Sequence, residues 1–373
     1  MEVKKFYLIK LKSSFYPVKP RTMLTGRKNV RTRIVNLILI ALFILFQIGS
    51  VNLLGGSANE EKILVAAVVT QLASVVKEVG GEKIEVETIL PPYADPHHYE
   101  PSMDSLLNTL SKAKLVVTTG SHHLAVEEKI YQVINEGLVK VRVIGLPDYE
   151  RKGLTLLINP KTGDVNIHEY YYSIKNLKAI ASAITEELIK VDSTNKQYYA
   201  ERLNNYLSRL NKIEETISLL SKNNVYNVRV ITYTPLMQYV IEDLGLKLVD
   251  VVVSEVDVEP SEKDFSNMLT RLINREADYI LFSDIEAIEN PKLLDLLSRQ
   301  GVRYYIIPLS SLAETPELAS LSTAILVSSS STSYNVEVES PMFDIPLVLS
   351  ILANVVLLSI IILLIIKVRR HGG

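Results

Sequence analysis

The sequence predicts an α/β protein: two parallel-sheet α/β lobes joined by a long linker helix, plus terminal transmembrane segments. Three observations predict it. Short continuous apolar runs alternate with helix-period segments in two separate blocks, the rhythm of strands covered on both faces by helices. A single apolar stripe of helical period divides the two blocks. Long apolar stretches lie at 34–54 and 345–366, each beside a basic cluster.

The first block opens with 63–70 (ILVAAVVT), a continuous apolar run of strand length. A helix follows, with Leu72, Val75, Val76 and Val79 on one side, and Gly80-Gly81 suits its C-terminal end. Residues 84–90 alternate apolar and charged and read as the next strand. Helices at 103–110 and 127–135 then alternate with strands at 114–118 and 139–144. From Ser173 the pattern turns helical, first over 174–189. Tyr199, Leu203, Tyr206, Leu207, Leu210, Ile213, Ile217 and Leu220 then recur at three- and four-residue steps. That stripe implies one helix of about 27 residues, roughly 40 Å long. The second block resumes with strands at 228–232, 247–253, 279–282 and 304–307. Helices at 236–244, 261–274 and 291–300 lie between them. Ligands of such folds bind beyond the C-terminal strand ends, here the cleft between lobes.

There are no cysteines, which excludes disulfides, thiolate metal ligands and thiol nucleophiles. Net charge is −2, but residues 1–33 hold ten Lys/Arg against Glu2 alone. Residues 34–366 hold 27 basic and 41 acidic residues, a formal charge of −14. An acidic body disfavours nucleic acid and suits cations.

Residues 1–33 form a basic segment assigned to the cytoplasm. Residues 34–54 read as a signal peptide's apolar region or as a transmembrane helix, and both readings stay open. Met23 is a second candidate start. Residues 345–366 contain no charge, span ~30 Å of hydrocarbon as a helix, and precede Lys367-Val368-Arg369-Arg370. Basic flanks put both ends in the cytoplasm and 58–340 outside, at the cell membrane. The remaining divisions are a first lobe at 58–172, a helical linker at 173–222, a second lobe at 223–327 and a Ser-rich stalk at 328–344.

Five of the six histidines fall in three loop positions: His97-His98, His122-His123 and His168. The two pairs follow predicted strands, so their rings are expected to converge at the C-terminal sheet edge. Neutral imidazole is a frequent transition-metal ligand. No His-Glu-x-x-His helix and no phosphate-binding glycine loop is present, so neither a zinc hydrolase nor an ATPase is expected.

The stretch Asp95-Pro96-His97-His98-Tyr99-Glu100-Pro101, with Gly80, Gly81 and Pro92 before it and Ser111–Val117 and Gly120 after it, carries a resemblance. Residues 61–335 resemble the substrate-binding proteins of zinc- and manganese-type ABC transporters. The resemblance implies a non-enzymatic, membrane-anchored, monomeric binding protein that takes Zn²⁺ or Mn²⁺ as its transported ligand and hands it to a permease. It implies His97 as a metal ligand. His168-Glu169-Tyr170 stands where the family has His-x-Trp-Leu-Asp-Pro, which makes His168 the second ligand although Asp-Pro is lost.

The second lobe departs from the pattern. Counting back eleven residues from Gly245-Leu246 puts Thr234 at the third ligand position, and Tyr239 keeps the register. The fourth position falls near Ser310. Glu255 to Pro260 and Asp284 fall at structural rather than ligating positions of the pattern. Two imidazoles and two neutral hydroxyls bind Zn²⁺ weakly. Three readings stay open: His98, His122 or His123 completes the shell; Glu314 supplies the missing acid; or the site has degenerated. In the last case the protein is a receptor or adhesin, or binds a chelated or organic ligand against Tyr170, Tyr171, Tyr172 and Tyr233.

Overall fold

The computed structural model describes residues 62–329, apart from 92, 93, 95, 121, 122, 223–227, 256 and 257. The apolar stretches 34–54 and 345–366 lie outside the described residues. Among those described, no helix is long and apolar enough to cross a membrane.

The first sheet has four parallel strands in the order β2-β1-β3-β4. These are β1 (Ile63–Ala67), β2 (Ile84–Thr88), β3 (Leu115–Val117) and β4 (Arg142–Ile144). Val65 faces Val86 on one side and Leu115 on the other. Val65, Ala66 and Ala67 are fully buried, as the unbroken apolar run requires of a central strand. Helices α1 (Thr70–Gly80), α2 (Met103–Lys112), α3 (Ala125–Asn135) and α4 (Leu146–Glu150) connect and follow the strands. Gly81 ends α1 at φ 56°, and a side chain there would collide with the Tyr198 hydroxyl. Glycine is therefore required on both backbone and steric grounds.

A two-stranded antiparallel hairpin, β5 (Leu157–Ile158) with β6 (Val165–Asn166), leads into the linker helices. Helix α5 spans Ile174–Val191 and α6 spans Lys196–Leu220. The 25 residues of α6 run about 38 Å. Its stripe behaves as the periodicity predicts: Tyr199, Tyr206, Leu210 and Ile217 are buried, and Leu203, Leu207, Ile213 and Leu220 pack against the same core.

The second sheet is also parallel, in the order β8-β7-β9-β10. Its strands are β7 (Arg229–Thr232), β8 (Lys247–Val251), β9 (Tyr279–Ser283) and β10 (Tyr304–Ile307). Helices α7 (Gln238–Leu244), α8 (Glu262–Ile273), α9 (Asp284–Glu289), α10 (Pro291–Arg299) and α11 (Leu318–Ser329) complete it. One side of this sheet closes over a separate cluster that includes Met268, Phe282 and Leu297. Its other side shares one continuous core with the first lobe and α5, α6 and α11, through Val230, Tyr239, Leu244 and Val327. A shared core resists large rigid-body opening, because separating the lobes would expose apolar surface.

The structure differs from the sequence expectations in the short elements. The hairpin β5–β6 and helices α4 and α9 are too short to show periodicity. The Ser-rich run expected as a stalk from 328 begins inside α11, where the Ser328 hydroxyl donates to Ile325 O. Serine is tolerated there because its hydroxyl finds a carbonyl of the preceding turn. Residues 330–344 lie outside the description.

Candidate metal centre

His97 sits in the turn after β2, His123 in the loop between β3 and α3, and His168 just beyond β6. The fold brings all three together. Ring centroids are 5.9 Å apart for His97–His123, 5.4 Å for His97–His168 and 5.2 Å for His123–His168. The point equidistant from the three centroids is about 3.2 Å from each. An ion bonded to a ring nitrogen at ~2.0–2.1 Å lies about that far from the ring centre. His123 Nε2 and His168 Nδ1 are 3.4 Å apart. Two donors on a tetrahedral ion at that bond length are spaced ~3.3 Å.

The third donor is not in place. Among the described residues, no group of three or more His, Cys, Asp or Glu side chains is gathered in metal-holding geometry. His123 Nε2 and His168 Nδ1 face each other, and His168 Nε2 turns to Glu255.

His123 and His168 are held by neighbouring side chains. Thr119 Oγ1 lies 2.9 Å from His123 Nδ1 and 3.0 Å from both oxygens of buried Glu127. With Glu127 ionised, the Thr119 hydroxyl donates to it and accepts from His123 Nδ1–H. That leaves the His123 Nε2 lone pair facing the other rings. Burial, with His168 and His97 adding to it, lowers the His123 pKa to about 3, so this ring is neutral at physiological pH. Burial raises Glu127 to about 7, against the pull of its Thr119 hydrogen bonds. The Tyr170 hydroxyl donates to Thr119 O at 2.6 Å and fixes the same segment.

His168 is tied to the second lobe. Its backbone N–H donates to Asn166 Oδ1 at 3.0 Å, and Asn166 Nδ2 donates to Pro235 O and Gln238 Oε1. The Tyr239 hydroxyl accepts from Leu157 N and donates to Asn166 O, which clamps the hairpin to α7. His168 Nε2 meets Glu255 Oε2 at 3.1 Å.

These rings open on a cleft of about 660 Å³. From the first lobe and linker it is lined by Pro96, Glu169 and Tyr171 besides the histidines; from the second by Thr234, Glu259, Glu286, Glu289 and Asn290. The second lobe therefore faces the histidines with carboxylates. The sequence pattern gave hydroxyls there and placed Glu255 among structural positions. An acid-rich loop following β8, at a C-terminal strand end, was the available signal.

The other candidates separate. Thr234 lines the cleft, but its Oγ1 accepts from Leu236 N at 3.2 Å, capping a short 3₁₀ turn at Pro235–Met237. Ser310 is not among the lining residues: its N donates to Asp284 Oδ1 at 3.1 Å and its hydroxyl also bonds Asp284. Glu314 is 70% exposed and pairs with Lys77 at 3.6 Å, away from the lining. A solvated surface pair gains nothing by entering a cleft. His98 is exposed and off the lining, and His122 lies outside the described residues. Of the tyrosines, Tyr171 and Tyr233 line the cleft, whereas Tyr170 and Tyr172 are buried, bonding Thr119 O and Leu309 O.

Residues 65–323 match the family described as zinc-uptake complex component A, periplasmic. The chain belongs to this family. The chain is similar to the manganese ABC transporter substrate-binding lipoprotein of Streptococcus anginosus. It is 26% identical over 174 residues, covering 43% of this chain and 52% of the relative. The Streptococcus pneumoniae protein of the same name is 22% identical over 252 residues, 62% of this chain and 76% of the relative. The chain spans about half the length of the first curated relatives it matches. Two solved structures share the fold at a TM-score of 0.60. One is a substrate-binding protein of Pseudomonas aeruginosa in complex with Mn²⁺, 22% identical, covering 73% of this chain and all of that one. The other is a zinc-bound deletion mutant of a zinc-uptake component A protein, 17% identical, covering 74% of this chain and all of that one.

Proposed function

We propose that this protein captures a divalent transition-metal ion of the Zn²⁺ or Mn²⁺ type outside the cell membrane and passes it to the permease of an ABC importer. The observation that carries the reading is the triangle of His97, His123 and His168, with centroids 5.2–5.9 Å apart around a point one metal–imidazole length away. Metal binding requires unprotonated donors. His123 meets that requirement without competition from protons near neutral pH. The acidic wall of Glu255, Glu259, Glu286 and Glu289 draws a cation into the cleft and offsets its charge once bound. The continuous core allows the lobes only small displacements, so capture proceeds by side-chain rearrangement more than by domain closure.

The anchoring scheme belongs to the same proposal: apolar segments at 34–54 and 345–366, basic flanks inside, the two lobes outside, acting as a monomer. The chemistry proposed is binding and release without turnover.

One observation favours a second reading. The cleft volume of about 660 Å³ is within the ~300–1,000 Å³ of small-molecule sites and exceeds what a bare ion fills. With Tyr171 and Tyr233 on its walls, it suits an ion delivered inside an organic chelator.

Metal content of the purified chain decides between them. Near-stoichiometric Zn or Mn that disappears in the His97→Ala/His168→Ala variant supports capture of the ion. Metal that co-elutes with an organic molecule, and is not regained from a simple salt, supports the chelate. Neither metal nor ligand in the wild type overturns both.

A further inference from the structure

Glu169 departs from ordinary protein chemistry in three ways at once. Its backbone is left-handed, φ 56°, a conformation uncommon outside glycine. Its Oε2 is buried with no hydrogen-bond partner among the described residues. And it lines the cleft beside His97, His123 and His168. Strained backbone and unsatisfied polar atoms persist where the surroundings enforce them, and they gather at functional sites.

The fold uses this carboxylate only in part. The Tyr171 hydroxyl bonds this carboxylate, and its Oε2 is left buried without a partner among the described residues. A captured ion has an evident use for it. Three imidazoles leave the fourth corner of a tetrahedral ion open and themselves supply no negative charge.

The competing donors are engaged or solvated. Thr234 Oγ1 caps a turn. Glu286 accepts from the backbone N–H groups of Thr234 and Ser283. Glu255 faces His168 Nε2, and Glu259 and Glu289 are exposed to water.

Resting on the capture reading above, we propose that Glu169 is the anionic ligand of the ion, its Oε2 closing the shell that His97, His123 and His168 begin. Its place next to His168 lets one loop supply two ligands. Metal entry also relieves the enclosed oxygen by giving it a partner.

The test uses the full-length chain as wild type, Glu169→Ala, Glu169→Gln and His97→Ala. Three readouts are needed: Zn²⁺ and Mn²⁺ affinity by chelator competition, the thermal midpoint without metal, and the visible ligand-field spectrum with Co²⁺. The expected result is that Glu169→Ala loses more than the ~10–100-fold typical of groups behind a ligand. The metal-free midpoint of Glu169→Gln, which keeps the Tyr171 contact, equals the wild type's. Glu169→Gln keeps the shape and the Tyr171 contact, yet shifts the Co²⁺ spectrum and does not restore affinity. Affinity within about threefold of wild type with an unchanged spectrum overturns the inference while the capture reading stands. Full rescue by Glu169→Gln, or a Glu169→Gln variant whose metal-free midpoint falls together with its affinity, assigns the residue a structural role and also overturns it. A wild type that binds no ion, or binds it equally well as His97→Ala, removes both readings together.

Discussion

The hydroxyl of Thr119 stands 2.9 Å from Nδ1 of His123. Through it, a ring at the cleft is coupled to Glu127, a carboxylate with no exposed surface. That relay decides which nitrogen of His123 carries the proton, and therefore which one can hold an ion.

Replacing Thr119 with Val keeps the volume and removes the relay. The expected outcome is a loss of roughly 10–100-fold in metal affinity with the ion-to-protein ratio unchanged. Chelator competition on the purified chain measures it. A variant that binds as tightly as wild type would show that the ring's orientation is set elsewhere.

Glu255 meets His168 Nε2 at 3.1 Å and is itself 49% exposed on its side chain. An exposed pair contributes ~0–1 kcal/mol to stability. Glu255→Gln should therefore leave the thermal midpoint nearly unchanged, yet weaken metal binding about 10–100-fold by freeing the ring. Equal binding with a lowered midpoint would contradict this assignment.

Ser310 and Glu314 provide the opposite case. Ser310→Ala removes a hydroxyl bonded to Asp284 and should cost about 1 kcal/mol of stability, visible in denaturant titration. Glu314→Gln loses only an exposed pair with Lys77 and should change neither stability nor binding by a measurable amount. Weakened metal binding in either variant would restore them as ligands.

Asp243 gives a pH dependence with a definite sign. Its carboxylate accepts from Ile174 N, Ser173 Oγ and Ser320 Oγ, and burial outweighs these bonds to raise its pKa from 3.8 to about 6. The folded state thus holds this proton more tightly than the unfolded one. Its contribution to stability is complete below pH ~4 and is lost as pH rises through about 6. Asp243→Asn removes the titration, so the fall in melting temperature between pH 4 and 6 should be shallower than in wild type. Parallel melting curves across that range would refute the assignment.

The long stripe from Tyr199 to Leu220 fixes α6 from sequence alone, because a helical period sustained over 22 of its 25 residues fits no other regular structure. The run at 63–70 identifies a central parallel strand for a similar reason: apolar residues on both faces require cover on both sides. Short elements escaped notice. The hairpin β5–β6 has two residues per strand, too few for any period to show.

At the site, sequence pattern singles out His97 and His168, because a ligand motif keeps its local spelling. It could not choose among His98, His122 and His123. Nor could it find Glu255 and Glu169, one 87 residues along the chain from its histidine partner and the other marked only by a left-handed backbone. What residue types and their spacing determine is which segments are helix or strand and which loops end at the sheet edge. Which side chains from those loops meet, which oxygen is left without a partner, and which acid faces an imidazole are settled by packing between segments distant in sequence. Those outcomes depend on where the chain returns in space, and no local pattern of residues encodes a distance.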